Sequence, residues 1–254
     1  VPVLKSFAGG QVFGATWGEG TPGVLALHGW QRTHLDFAPV FGAGDWPAYR
    51  GAMALDLFGF GATPPPPEPW GSDRYAAALL PLFEERGVLA DRIVLVGHSF
   101  GGRVAVRLAR LVPDRIERLV LTAAPLLDRQ GRRSRPAATY RLARSLHRIG
   151  LVGESRMEAL RNRYGSPDYR AAQGVMRGVF VALLAEQYGE DLAAIDCPVD
   201  LVWGADDTEV PVEVAVRVEA LVPSSRLVTL PGVGHLTPTE APEALGRIIL
   251  GGDR

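Results

Sequence analysis

Cysteine and lysine are almost absent from this sequence, and long apolar runs are missing altogether. The single cysteine, Cys197, excludes an intramolecular disulfide and fits a reducing compartment, so the expected location is cytoplasmic. Lys5 is the only lysine among 27 basic side chains, a bias read as base composition and not as function. No apolar run approaches the ~20 residues needed to span a bilayer, so no membrane span is expected. Val1-Pro2-Val3-Leu4-Lys5 lacks the charged-then-apolar order of a secretory leader. The formal net charge of −1 at pH 7 argues against a general nucleic-acid binder. There is neither a P-loop nor a dinucleotide fingerprint, so no cofactor is expected. The five histidines show no metal-ligand spacing, so no metal is expected either.

What is present is an ordinary globular composition, 47% hydrophobic and 22% charged over 254 residues, enough to bury a substantial core. Short apolar runs read as strands at Gln11–Trp17, Val24–Leu27, Ala52–Leu55, Ile93–Val96, Ile116–Thr122, Val199–Trp203 and Arg226–Leu230. Helical patterns fall near Asp36–Phe41, Tyr75–Arg86, Arg103–Leu111, Val212–Leu221 and Thr239–Ile249. Apolar strands alternating with helices predict a parallel α/β sheet covered on both faces. Between about Pro125 and Glu190 the alternation breaks into an arginine- and alanine-rich helical stretch, with helices expected near 136–149, 154–163 and 168–187. The simplest account is one α/β domain formed by 1–124 and 191–254, with 125–190 inserted as a helical cap.

The stretch that carries chemistry is Ile93-Val94-Leu95-Val96-Gly97-His98-Ser99-Phe100-Gly101-Gly102. An apolar strand runs into G-x-S-x-G and then directly into a helix, the context of a nucleophile elbow. Such a turn strains the serine backbone and needs nearly side-chain-free neighbours two residues away on each side, which Gly97 and Gly101 supply. Ser99 then stands at a helix N-terminus, where free N–H groups favour developing negative charge. Two later strands also end in titratable groups, Gly204-Ala205-Asp206-Asp207 and Gly234-His235. Open α/β sheets place their sites at such strand ends.

With His28-Gly29-Trp30, Asp56-Leu57-Phe58-Gly59-Phe60-Gly61, the elbow, Gly204 to Asp207 with Val210-Pro211, and Gly234-His235, the chain resembles the α/β-hydrolase fold family, in its compact esterase-like branch. The resemblance implies an eight-stranded, mostly parallel sheet with a helical cap between strands six and seven. It also implies a serine hydrolase acting on a carboxylic ester or related acyl substrate, with that small molecule and water as partners. Ser99 would be the nucleophile, His235 the general base and Asp207 the acid that orients it, with Asp206 as fallback. The backbone N–H groups of Trp30 and Phe100 would form the oxyanion hole. The same triad serves lactonases, carbon–carbon hydrolases, perhydrolases and acyltransferases, and some proteins of this fold bind ligands with little turnover.

Further residues take supporting roles in this reading. His28 is expected to brace the oxyanion loop, and Trp30, Phe60, Trp70 and Phe100 to wall an apolar acyl pocket. Tyr169 and Arg177 are expected to touch substrate from the cap. His98 reads as a packing residue turned away from the cleft, His34 and His147 as surface residues, Asp56 as a loop stabiliser, and Cys197 as a buried small hydrophobe. Ser166 or Asp168 would cap a cap helix. Residues 129–148 hold seven arginines and no acid, either a solvated face or a basic rim that steers anions or a partner. The sequence leaves the oligomeric state open.

Overall fold

In the computed structural model, residues 2, 4–43, 46–128, 146–147, 150–164 and 167–252 are described. The apolar runs become strands β1 (Leu4–Phe7), β2 (Val12–Trp17), β3 (Val24–Leu27), β4 (Ala52–Asp56), β5 (Ile93–His98), β6 (Ile116–Thr122), β7 (Val199–Gly204) and β8 (Ser225–Leu230). They form one eight-stranded sheet in spatial order β1-β2-β4-β3-β5-β6-β7-β8. The β1–β2 and β2–β4 pairs are antiparallel and all others parallel. Every residue of β3, β4, β5 and β7 is buried, which is why these strands read as continuous apolar runs and not as alternating ones. β1 has no such run in the sequence: it is an edge strand whose Leu4, Lys5 and Ser6 are exposed.

Helices α1 (Ala38–Phe41), α2 (Ser72–Ala78), α3 (Pro81–Glu84) and α4 (Phe100–Leu111) come first. After β6 come α5 (Glu154–Tyr164), α6 (Pro167–Ala171), α7 (Gly174–Leu184) and α8 (Gly189–Ala193), then α9 (Val212–Glu219), α10 (Thr237–Glu240) and α11 (Pro242–Ile249). Leu25, Leu27, Leu55 and Leu95 face the core shared with α2, α4 and α9. Their neighbours Val24, Ala26, Ala54, Val94 and Val96 face the core shared with α1 and α11. Three expected helices are broken, each for a local reason. The Tyr75–Arg86 helix splits into α2 and α3 before Pro81, which has no N–H to continue the ladder. The 168–187 helix splits around Gly174, whose φ is +52°, a left-handed value that a helix cannot continue through. The 239–249 helix is divided before Pro242. The helix expected over 136–149 lies, but for residues 146 and 147, outside the described residues, as do all seven arginines of 129–148 and Ser166.

Arg118 of β6 fastens the C-terminal helix to the sheet. Its guanidinium donates to Asp200 Oδ2 (2.6 Å), to the Ile248 carbonyl (2.7 Å) and to the Ile249 carbonyl, a cation on the last-turn acceptors of α11. Asp200 also accepts from Arg226 Nε, and its side chain is fully buried. Among the described residues no helix is long and apolar enough to cross a membrane.

Parallel pairing brings the exits of β3, β5, β6, β7 and β8 to one sheet edge: Leu27 lies beside Gly97, His98 beside Thr122, Thr122 beside Val202, and Gly204 beside Leu230. Two buried histidines stand at that edge. His28 Nε2 accepts from the Leu57 N–H (2.9 Å), which leaves Nδ1–H to donate to the Gly29 carbonyl (2.7 Å). Burial holds its pKa down at about 4, against the opposing pull of the Gly29 hydrogen bond. His98 is held at about 3, first by burial and then by the charge of His235.

Two outcomes follow. Asp200→Ala strands a buried guanidinium, and urea denaturation is expected to register a loss of about 3–5 kcal/mol. In the acid range, the unfolded chain protonates His28 and His98 near pH 6.5, whereas the fold admits protons only near 4 and 3. The unfolded state therefore binds more protons in between, and stability falls as pH drops below about 6.5. His98→Phe removes one of these protons, so its urea midpoints at pH 7, 5.5 and 4.5 are expected to fall less steeply than the wild type's. An equal slope would contradict the buried neutral imidazole.

Candidate active site

Ser99 occupies the turn between β5 and α4 with φ 50° and ψ −113°, a region a non-glycine residue enters at a cost of about 1–3 kcal/mol. The turn is held by hydrogen bonds from Ser99 N–H to the Thr122 carbonyl (2.9 Å) and from Gly101 N–H to the His28 carbonyl (3.0 Å). It can close this tightly because two positions lack side chains. A Cβ on Gly101 would lie 2.2 Å from the Leu27 carbonyl oxygen, and one on Gly97 would lie 2.6 Å from the Gly102 Cα. The result raises the Ser99 side chain over the C-terminal edge of the sheet.

The loops after β7 and β8 bring two further groups to it. His235 Nε2 lies 3.1 Å from Ser99 Oγ, and His235 Nδ1 lies 2.9 Å from Asp207 Oδ2. The other Asp207 oxygen accepts from the backbone N–H groups of Glu209 and Val210, both at 2.8 Å. Those two bonds, and burial of the whole side chain, aim the carboxylate at the imidazole. Asp206, the fallback, is exposed. His98 is buried as expected, yet its ring packs against His235 with centroids 5.2 Å apart.

A cavity of about 670 Å³ opens above this constellation. Trp30, Ser99, Phe100 and His235 line it together, so four of the sequence-expected residues meet there. Among the described residues the backbone N–H groups of Trp30 and Phe100 donate to no loop, turn or cap acceptor. Trp30 packs edge-on against Phe60 and Phe100 and tilts against Phe180, at 5.0, 5.6 and 5.3 Å. Its wall separates the main cavity from a smaller one of about 390 Å³ lined by Phe60, Gly61, Gln173 and Met176.

The remaining pocket expectations are placed differently. Phe60 lines the smaller cavity. Trp70 packs on Phe58 and Tyr75, at 5.0 and 5.6 Å. Tyr169 is buried beneath Arg177, whose guanidinium lies 5.3 Å from its ring and pairs with Glu158. His28 lies behind the loop it braces. His34 is not a surface residue: its backbone N–H and Nδ1 both reach Asp56 Oδ1 at 2.8 Å and bury the ring. His147 is half-buried, with Nδ1 2.7 Å from the Val152 carbonyl oxygen. Asp56 also accepts from Ala62 N–H and so stabilises its loop, and Cys197 is only partly buried. The sequence reading missed Arg103, Phe180, Leu183, Leu184, Thr208 and Glu209 as lining residues. The i, i+3, i+4 stripe of Phe180, Leu183 and Leu184 was a legible signal. Among the described residues, no cluster of His, Cys, Asp or Glu is arranged to hold a metal ion.

Comparison with known proteins bears on the fold and the family. A chain from Pseudomonas putida, a 2-hydroxy-6-oxononadienedioate/2-hydroxy-6-oxononatrienedioate hydrolase, is 25% identical over 92% of this chain and 88% of its own. Among solved structures, a serine hydrolase involved in carbazole degradation matches with TM-score 0.72 at 22% identity, covering 99% of this chain and 98% of that one. An esterase from Thermogutta terrifontis matches with TM-score 0.68 at 24% identity, covering 99% and 96%. These two likenesses show the fold. The sequence profile of the alpha/beta hydrolase family matches residues 24–248, and the chain belongs to that family.

Proposed function

We propose that this chain hydrolyses a carboxylic ester or related acyl substrate through an acyl-enzyme on Ser99. The observation that carries the reading is the unbroken path from Ser99 Oγ to His235 to the buried Asp207, at 3.1 and 2.9 Å. In this reading His235 takes the Ser99 proton as Oγ attacks the carbonyl carbon. The N–H groups of Trp30 and Phe100 receive the oxyanion, and loss of one such donor typically costs about 10²–10³ in rate. His235 returns the proton to the leaving group, and a water activated by the same imidazole then releases the acid. Asp207 holds the tautomer with Nε2 free to accept and stabilises the imidazolium. No cofactor enters this cycle. Residues 125–190 act as the cap, because Pro125, Pro167, Asp168, Phe180, Leu183 and Leu184 all face the cavity.

A second reading gives the same triad a carbon–carbon bond beside a ketone as its target. It is favoured by the likeness to the Pseudomonas putida hydrolase along 92% of the chain.

Ser99→Ala is expected to lower kcat on p-nitrophenyl butyrate by on the order of 10⁶ and to abolish labelling by a fluorophosphonate probe, with an unchanged circular dichroism spectrum. Retained turnover would sink the assignment. Asp207→Asn is expected to cost about 10⁴ in kcat, whereas Asp206→Asn is expected to stay within a few-fold of wild type; the reverse order would move the acid to Asp206.

A further inference from the structure

Helix α4 carries three arginines on one stripe, and the cavity-facing one is treated differently from the others. Arg107 and Arg110 both pair with Asp191. Arg103, one turn beyond Ser99, is half-buried and lines the cavity, yet among the described residues no carboxylate lies within ion-pair distance of it. Residues 129–145 cannot supply one, because that stretch contains neither Asp nor Glu. Arg103 Nε donates to the Pro125 carbonyl (3.0 Å) and one terminal nitrogen to the Leu183 carbonyl (2.5 Å). These bonds fix the guanidinium plane but use only part of its five-donor fork, and neutral carbonyls do not cancel its charge. A half-buried cation without a counter-ion is costly, and the cost is relieved when a ligand brings the anion.

The opposite sign stands elsewhere in the same cavity. Glu209 Oε2 lies 3.7 Å from His235 Nε2, and its side chain is 70% exposed. Because His235 Nε2 is the atom that returns a proton to the leaving group, Glu209 marks the leaving-group side and the mouth. Arg103, clasped between the Pro125 and Leu183 carbonyls, lines the same cavity without contacting His235. The cavity therefore carries both signs of charge, with the negative one beside the imidazole nitrogen that would protonate the leaving group and the positive one apart from it.

We propose that the preferred substrate is an acyl compound carrying a second, anionic group on its acyl side, such as the hemiester of a short dicarboxylic acid, and that Arg103 is the residue that reads the anion. This rests on the acyl-hydrolase reading of Ser99. In the reaction, the bond from Ser99 Oγ to the acyl carbon forms as the bond to the leaving oxygen breaks, and that oxygen takes the proton held by His235. Water then cleaves the acyl-serine, giving a free dicarboxylate and regenerated Ser99. Anionic leaving groups are disfavoured by Glu209, so charge decides which half of the substrate goes where.

The test compares kcat/KM for p-nitrophenyl hemiglutarate with that for p-nitrophenyl butyrate at fixed ionic strength. The wild type is expected to favour the hemiglutarate by at least about tenfold, and Arg103→Met to reduce that ratio by about 10–100-fold, the usual range for a lost charge-assisted hydrogen bond. Arg103→Lys is expected to fall between. Calorimetric binding of glutarate to the Ser99→Ala protein gives a readout without turnover, and glutaramide serves as the neutral control. A wild-type ratio of one or less, a ratio unmoved in Arg103→Met, or equal binding of glutarate and glutaramide would overturn the proposal. If the methionine variant does not fold, the wild-type ratio and the Ser99→Ala binding still decide it. Ser99-dependent hydrolysis of butyrate without anion preference defeats this inference alone. Glutarate binding without any esterase activity defeats the acyl-hydrolase reading and leaves the anion site standing.

Discussion

The close approach of helix α4 to the sheet is the constraint on which the site depends. Gly101 puts its backbone where a Cβ would lie 2.2 Å from the Leu27 carbonyl oxygen, and Gly97 puts its own where a Cβ would lie 2.6 Å from Gly102. Only with both side chains absent can the chain reverse direction within one residue, and that residue is Ser99, held at φ 50°. The strain is met by bonds that belong to other strands: Thr122 of β6 accepts from Ser99, and His28 at the exit of β3 accepts from Gly101. The turn is thus a joint product of three strands. Its energy is small against the total burial of the sheet, but its geometry leaves no slack.

The loops around that turn are supported by polar groups that work as backbone acceptors. Asp56 takes N–H groups from His34 and Ala62, His28 takes one from Leu57, and Asp207 takes two from Glu209 and Val210. The His34, Leu57 and Val210 donors would otherwise be buried without partners, which costs about 1–3 kcal/mol apiece. Burial also keeps the His28 and His98 imidazoles neutral at ordinary pH, so neither adds positive charge beside the proposed base. For Asp207 the loop bonds and the contact with His235 use different oxygens of one carboxylate, which couples loop closure to imidazole orientation.

The helical segment between β6 and β7 is tied to the same helix that carries Ser99. Arg103 holds the carbonyls of Pro125 and Leu183, and Arg107 stands over the Tyr188 ring at 4.9 Å. Tyr188 in turn bonds Ser72 and Glu186, and Glu186 accepts from the Ser72 backbone N–H. Through these contacts α4 positions both the proposed nucleophile and the cavity wall opposite it, so reaction chemistry and substrate shape share one rigid element.

Much of the framework was legible in the sequence because it rests on local rules. Fully buried parallel strands must be continuously apolar, a strand-to-helix elbow must have glycines at fixed offsets, and Asp207 and His235 follow strand-like runs. The edge strand β1 escaped notice because exposed residues carry no such pattern, and Pro81, Gly174 and Pro242 broke helices whose apolar periodicity ran on past them. The pocket was the least legible part. Trp70 and Arg177 have the same side-chain chemistry as Trp30 and Arg103, and composition cannot say which of each pair faces the cavity. By itself the sequence determined the fold family and the order of the three side chains proposed to act as a triad. The tertiary structure alone decided that, among the described residues, Arg103 lies without an acidic partner where Arg107 and Arg110 have one, because distance and burial across segments, not residue identity, set the partners of a charge.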